Sequence, residues 1–225
     1  MPYGVAGTPI GVGASACPGT TPGGRPRFYG SAMSTKLIRT CLGVAATAIV
    51  TADIVNPQYS PVAETVSRYV NGTAGWLIPV AIIGMGVASA VLAAGVRGPG
   101  RWALAVWAGG LLIAGLVPAD PPGRWSRPSV AEMVHGAAAW IALIAFPVAA
   151  VLLSRAAGRH RRLLGTLAGI SLLATAGLFV VLADVMDGPS LTVGGTPLVG
   201  LVERLVIAVD MAWLAVAAAA VRKTR

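Results

Sequence analysis

The stretch Ala131–Leu153, AEMVHGAAAWIALIAFPVAAVLL, decides the fold. Its polar groups, Glu132 and His135, sit at its beginning, and the rest runs apolar to Leu153. Such a run matches the roughly 20 residues that a helix needs to cross a hydrocarbon layer of about 30 Å. Directly after it stand Arg155, Arg159, Arg161 and Arg162. An apolar span with acid at one end and arginine at the other is the mark of a membrane helix whose basic flank stays in the cytoplasm.

Working outward, the same pattern repeats at about Leu37–Val55, Trp76–Val96, Trp102–Val117, Leu163–Ala183 and Leu198–Val221. The third of the six segments, Trp102–Val117, is short and is expected to gain a turn at one end. In lipid these segments must be helices, because a closed barrel needs an alternating pattern that is missing here. The expected fold class is therefore all-α: a polytopic transmembrane helix bundle of about six helices. Composition agrees, since a chain that is 56% hydrophobic and 11% charged has more apolar surface than a soluble core can hide. Gly165 and Gly169 have the small-x-x-x-small spacing that allows close helix contact.

Upstream, residues 1–34 are rich in Gly, Pro, Ser and Thr without a hydrophobic period, and are expected to be a disordered tail. Met33 offers an alternative start of the chain. Residues 35–225 are expected to form the transmembrane domain. Lys36 and Arg39 ahead of an apolar stretch ending in Val50, Thr51 and Ala52 also resemble a signal peptide, a rival reading of the first segment.

Charge is segregated between alternate flanks. Of the 17 basic residues only Arg68, Arg124, Arg127 and Arg204 fall on the flanks that also hold all eight acids: Asp53, Glu64, Asp120, Glu132, Asp184, Asp187, Glu203 and Asp210. The basic set, from Lys36 and Arg39 through Arg97, Arg101 and Arg155 to Arg222, Lys223 and Arg225, predicts a cell-membrane protein with both termini cytoplasmic and the acids outside. A net charge of +9 spread in this way orients helices and contacts anionic lipid; it does not predict a nucleic-acid partner. Cys17 and Cys41 make no disulfide framework, and no spacing predicts a metal or cofactor site.

Several acids lie at or inside helix ends, where desolvation is costly and a partner is required. Glu132 and His135 share a helix face, as do Glu203 and Asp210 two turns apart, with Asp210 near mid-membrane. Asp53 and Asp184 close the first and fifth segments, and Arg68 and Arg204 are the natural cationic partners. Between the first two spans, Ser60 and Pro61 are expected to start a short interfacial helix over Val62–Asn71, with Glu64 and Arg68 on one side. Trp76 and Trp125 fit an aromatic belt. Two accounts compete for this cluster: ion pairs that fix helix register, or a cavity that receives a polar head.

Five short motifs then carry a resemblance: Tyr-Ser-Pro-x-x-x-x-Val-Ser at Tyr59–Ser67, Gly75-Trp76, Val-Pro-Ala-Asp-Pro at Val117–Pro121, His135-Gly136-Ala137, and Gly-Leu-x-Glu-Arg at Gly200–Arg204. Together they resemble the bacterial six-helix membrane family catalogued as domain of unknown function nine-nine-eight, over about Leu37–Val221. The resemblance implies that Ser60, Asp120, His135, Glu203 and Arg204 matter together near the outer face. It carries no activity with it.

The expected function is a multi-pass membrane protein with an outer-face acidic, His and Arg cavity. Its partners are membrane lipids and a lipid-like or isoprenoid small molecule. Ser60, Arg68, Asp120, Glu132, Asp184, Glu203 and Arg204 are the candidate ligand-binding residues. The alternative is an enzyme on a lipid or isoprenoid, similar to small membrane terpene cyclases, with Glu64, Asp210 and His135 as the candidate catalytic groups and Trp140, Phe179 and Trp213 lining its pocket. Transport predicts an internal repeat, which is missing.

Overall fold

A computed structural model describes Met1 and residues 32–124, 127–188 and 191–221. Most of the expected tail, Trp125 and the basic residues Arg222, Lys223 and Arg225 lie outside the described residues.

Six long helices follow one another: α1 (Ala32–Val55), α2 (Leu77–Gly95), α3 (Gly100–Leu116), α4 (Val130–Ser154), α5 (Arg161–Asp187) and α6 (Val199–Val221). The expected segments are all present. α1 begins before the boundary drawn at residue 35, and α3 starts at Gly100 and ends at Leu116, so it is shifted toward its N-terminal end without gaining the expected turn. Segments Ser34–Val55, Leu77–Gly95, Val130–Ser154 and Gly158–Asp187 are long and apolar enough to span a membrane; α3 is shorter at 17 residues. α6 carries Glu203, Arg204 and Asp210 within its span. The chain is a multi-pass membrane protein.

Packing follows the logic of lipid rather than water. Alanines fill the interior: Ala45, Ala81, Ala88, Ala142, Ala149, Ala168 and Ala217 are fully buried. Ile141, Ile144, Leu172, Leu173 and Val180 instead face outward. Acyl chains solvate large aliphatics as well as a protein core does, so close backbone approach and dispersion contacts hold the helices together. The tightest approaches occur at glycines other than Gly165 and Gly169, which meet nothing in this chain. At Gly110 of α3, a Cβ would lie 2.7 Å from the Ala138 carbonyl oxygen and 2.8 Å from Ala142 Cβ on α4. Gly110→Val is expected to force α3 and α4 apart and to cost about 1–3 kcal/mol, read as a lowered thermal midpoint, whereas Gly165→Val should leave that midpoint unchanged.

Aromatic residues fill what the alanines leave. Trp107, Phe146 and Trp213 pack in tilted and edge-to-face contacts across α3, α4 and α6, with ring centroids 4.8 and 5.6 Å apart. Each indole N–H finds a hydroxyl: Trp107 Nε1 donates to Ser89 Oγ at 2.9 Å, and Trp213 Nε1 to Ser154 Oγ at 3.0 Å. α4 contains a buried proline, Pro147.

The connections beside the acids hold shape without regular helix. The interfacial helix expected from Pro61 onward is only a 3-10 segment, Val66–Asn71. Ser60 does not cap it; its carbonyl oxygen accepts from Ala63 and Glu64 N–H in a preceding turn. The cause is tertiary. Leu201 N–H bonds to Val62 O, and Gly200 sits against the Pro61 and Glu64 carbonyls where a Cβ would clash. Asn56 fixes the other side, donating to the Ala52 and Thr73 carbonyls at 2.8 and 3.0 Å and accepting from Thr73 N–H at 2.5 Å. Between α5 and α6, β1 (Thr192–Val193) and β2 (Thr196–Pro197) pair antiparallel around Gly194 and Gly195, whose positive φ values suit a two-residue turn.

Candidate functional site

Beneath the 3-10 segment the helices leave a cavity of about 320 Å³. Its upper wall contains Thr65, Ser67 and Arg68, with Arg124, Glu132, His135 and Glu203 nearby. Below, Met85, Trp107, Leu111, Trp140, Leu143, Leu178 and Ile207 make the lining apolar. A polar head above an apolar shaft is the shape of an amphiphile.

Arg68 organises the upper wall. It is 1% exposed; its Nη1 donates to the Pro121 carbonyl oxygen at 2.7 Å, and its Nη2 lies 3.7 Å from Glu132 Oε1. Burial pulls its pKa down, while Glu132, Glu64, Asp120 and Glu203 push it back up. Of these four carboxylates only Glu132 is within ion-pair reach; the others act on the guanidinium from farther off.

Glu132 also belongs to the start of α4. Ser129 caps that helix, its Oγ accepting from Glu132 N–H at 3.1 Å. In an ordinary capping box Glu132 would reach back to Ser129 N–H. Here Asp120 accepts from Ser129 N–H at 2.7 Å, and Glu132 accepts from Asp120 N–H at 2.7 Å. The box is relayed through the α3–α4 loop. The Ser129 bonds hold Asp120 below the usual carboxylate range.

His135, one turn on, is buried. Its Nδ1 lies 2.9 Å from the Ala114 carbonyl oxygen and 2.8 Å from that of Val117, at the C-terminal end of α3. Two carbonyls can only accept, so Nδ1 carries a proton, and in the neutral ring Nε2 is then an acceptor. Glu203 uses Oε2 to accept from Val66 N–H at 2.5 Å. Neither His135 Nε2 nor Glu203 Oε1 has a hydrogen-bond partner among the described residues.

A second cluster lies beside the cavity. Arg204 Nε and Nη2 engage both oxygens of Asp53 at 3.1 and 2.5 Å, while its Nη1 donates to the Glu64 and Gly200 carbonyls. The guanidinium also sits 5.1 Å from the Tyr69 ring centroid. This clamp ties α1 to α6 and to the α1–α2 connection.

The candidate residues therefore separate. Arg68, Glu132, His135 and Glu203 line the cavity; Ser60, Glu64, Asp120, Asp184, Arg204 and Asp210 do not. Asp184 accepts from Leu191 N–H at 3.0 Å in the α5–α6 connection. Asp210 is fully buried between α5 and α6, where Ser171 Oγ donates to its Oδ1 at 2.6 Å. Trp140 lines the cavity and stacks on Phe179, 4.9 Å away, whereas Trp213 is packed in the core. Asn56, Ser129 and Trp107 were not singled out by the sequence; only Ser129, three residues before Glu132, carried a readable capping signal.

With this geometry in place, the comparison with known proteins concerns its full extent. Residues 40–220 match the family described as "Protein of unknown function (DUF998)". The chain belongs to the DUF998 family. No curated protein and no solved structure matches it. The match begins within α1 and ends within α6, so the cavity and both arginine clusters of this DUF998 member lie inside it.

Glu64 tests what buried charge does here. Its Oε2 is sealed without a partner, and burial raises its pKa against the pull of Arg68. A carboxyl whose pKa is raised in the folded state binds its proton more tightly there, so its ionisation weakens the fold as pH rises from about 4.5 through the folded value. Glu64→Gln is therefore expected to raise the thermal midpoint at neutral pH and to flatten its fall between acid and neutral pH. A drop at neutral pH would contradict this.

Proposed function

We propose that this protein binds a lipid-like amphiphile in the cavity, with the head at Arg68, Glu132, His135 and Glu203 and the chain among Trp107, Leu111, Leu143 and Leu178. The observation that carries the reading is the division of one cavity into a polar roof and an apolar shaft. The basic ends of the helices face the cytoplasm of a cell membrane, which puts the cavity in the outer leaflet. A reporter fused after Arg159 should be active only in its cytoplasmic form, and a periplasmic signal there would refute the orientation. Mass spectrometry of protein extracted in mild detergent should find one amphiphile retained at near-stoichiometric amount; uniform bulk lipid would refute the binding reading.

A second reading, an enzyme acting on the same amphiphile by carboxylic-acid protonation, is favoured by His135. An imidazole with Nδ1–H anchored on two carbonyls presents Nε2 as an oriented proton acceptor. In this reading Glu203 or Glu132 supplies the acid, since Glu64 and Asp210 do not line the cavity. His135→Gln and Glu203→Gln would then retain the ligand and lose its conversion.

A further inference from the structure

We infer that the head of the bound amphiphile is an uncharged hydroxyl rather than a phosphate or an amine, and that it reaches the cavity sideways from the bilayer between α4 and α5. This rests on the amphiphile reading above and narrows it.

The charges around the head decide the first half. A phosphate would require free cations, but the Arg68 guanidinium is already spent on the Pro121 carbonyl and on Glu132. The other cavity arginine, Arg124, is an exposed rim residue. Glu132 and Glu203 would face a phosphate at close range, and like charges in a poorly solvated site repel strongly. A cationic amine would answer the carboxylates, yet the Arg68 guanidinium already lies against Glu132, and its charge and that of Arg204 already reach Glu203. What the roof offers instead is acceptors, Glu203 Oε1 and His135 Nε2, and an acceptor pair calls for a group that donates. A hydroxyl donates and loses little on leaving water compared with an ion.

The side walls decide the second half. Met133 and Trp140 of α4 and Met186 of α5 line the cavity yet are 54%, 42% and 57% exposed, so this wall faces the surroundings of the bundle. Gly136 lies between the two α4 residues and also lines the cavity; a Cβ built on it meets nothing within 4 Å. Around a membrane-spanning bundle, those surroundings are lipid. The whole cavity, roof and shaft together, measures about 320 Å³, at the small end of ligand pockets, which suits one slender chain rather than a bulky ring system.

The test uses the full chain in vesicles of phosphatidylethanolamine and phosphatidylglycerol, with decanol carrying a diazirine at its tail as the probe. Photolysis is expected to label Trp107, Leu111, Leu143 or Leu178. Unlabelled decanol should displace the label at least tenfold better than decyl phosphate or decylamine at equal membrane mole fraction. Gly136→Leu, which the open space at this position tolerates, and Met133→Trp at the mouth should each cut labelling about tenfold without changing elution or helical content. Glu203→Gln keeps an acceptor for Val66 N–H and is expected to weaken decanol binding about threefold to tenfold. Cavity labelling displaced best by decyl phosphate or decylamine would overturn the hydroxyl assignment and leave the amphiphile reading standing. Labelling unaffected by both mouth variants would overturn the lateral route. No cavity labelling at all would remove the amphiphile reading and this inference together.

Discussion

Arg204→Ala is expected to lower the thermal midpoint of the detergent-solubilised protein by about 10 °C, corresponding to about 3 kcal/mol. The residue makes two bonds to Asp53 and two to backbone carbonyls, and it sits over Tyr69. The Asp53 and Arg204 side chains are 25% and 17% exposed, so removing the cation leaves a carboxylate with little water to replace it. Arg204→Lys keeps the charge but not the planar fork that meets both oxygens, and should recover only about half the loss. An unchanged midpoint in Arg204→Ala would show that α1 and α6 are held by packing alone.

Arg68→Ala should be as damaging, at about 3–4 kcal/mol, and should also empty the cavity of ligand. Glu132 is its ion-pair partner and Glu64, Asp120 and Glu203 feel its charge from farther off, so without it Glu132 loses its counter-charge and the Pro121 carbonyl its donor. If that account is right, Arg68→Met combined with Glu132→Leu will be much more stable than Arg68→Ala alone, because a buried ion pair can be exchanged for apolar packing more cheaply than it can be broken. The double variant would still lose ligand. Equal stability of the single and double variants would contradict it.

The helices were legible because lipid leaves few options: an apolar run of sufficient length between charged flanks must be helical. Their mutual packing was not, since the residues that decide it are glycines and alanines, and this sequence is full of both. Gly165 and Gly169 carried the recognisable spacing and meet nothing, whereas Gly110, whose spacing to Ala114 is the same, lies against the backbone of α4. At the site, Arg68 and Arg204 were legible as cations that need acids. Which acid each takes depends on how the 61–71 segment folds over α6, and that is set by Gly200 and Asn56, residues whose role lies in backbone clearance and amide geometry. The relayed cap at Ser129 was half legible, because its spacing pointed to Glu132 while the intermediary, Asp120, lies nine residues before it in the chain.

Pro147 has no N–H to give, so the carbonyl of Leu143, four residues earlier, goes without its helical partner, and Leu143 is a lining residue of the shaft. The rod that forms one side of the slot is therefore least stiff at the shaft's own depth. Bending there would move Met133 and Trp140 relative to α5, while the stretch beyond Pro147 is tied to Trp213 through Ser154. On the lateral route inferred above, a passing chain would need only this one joint to yield, with the rest of the bundle left in register.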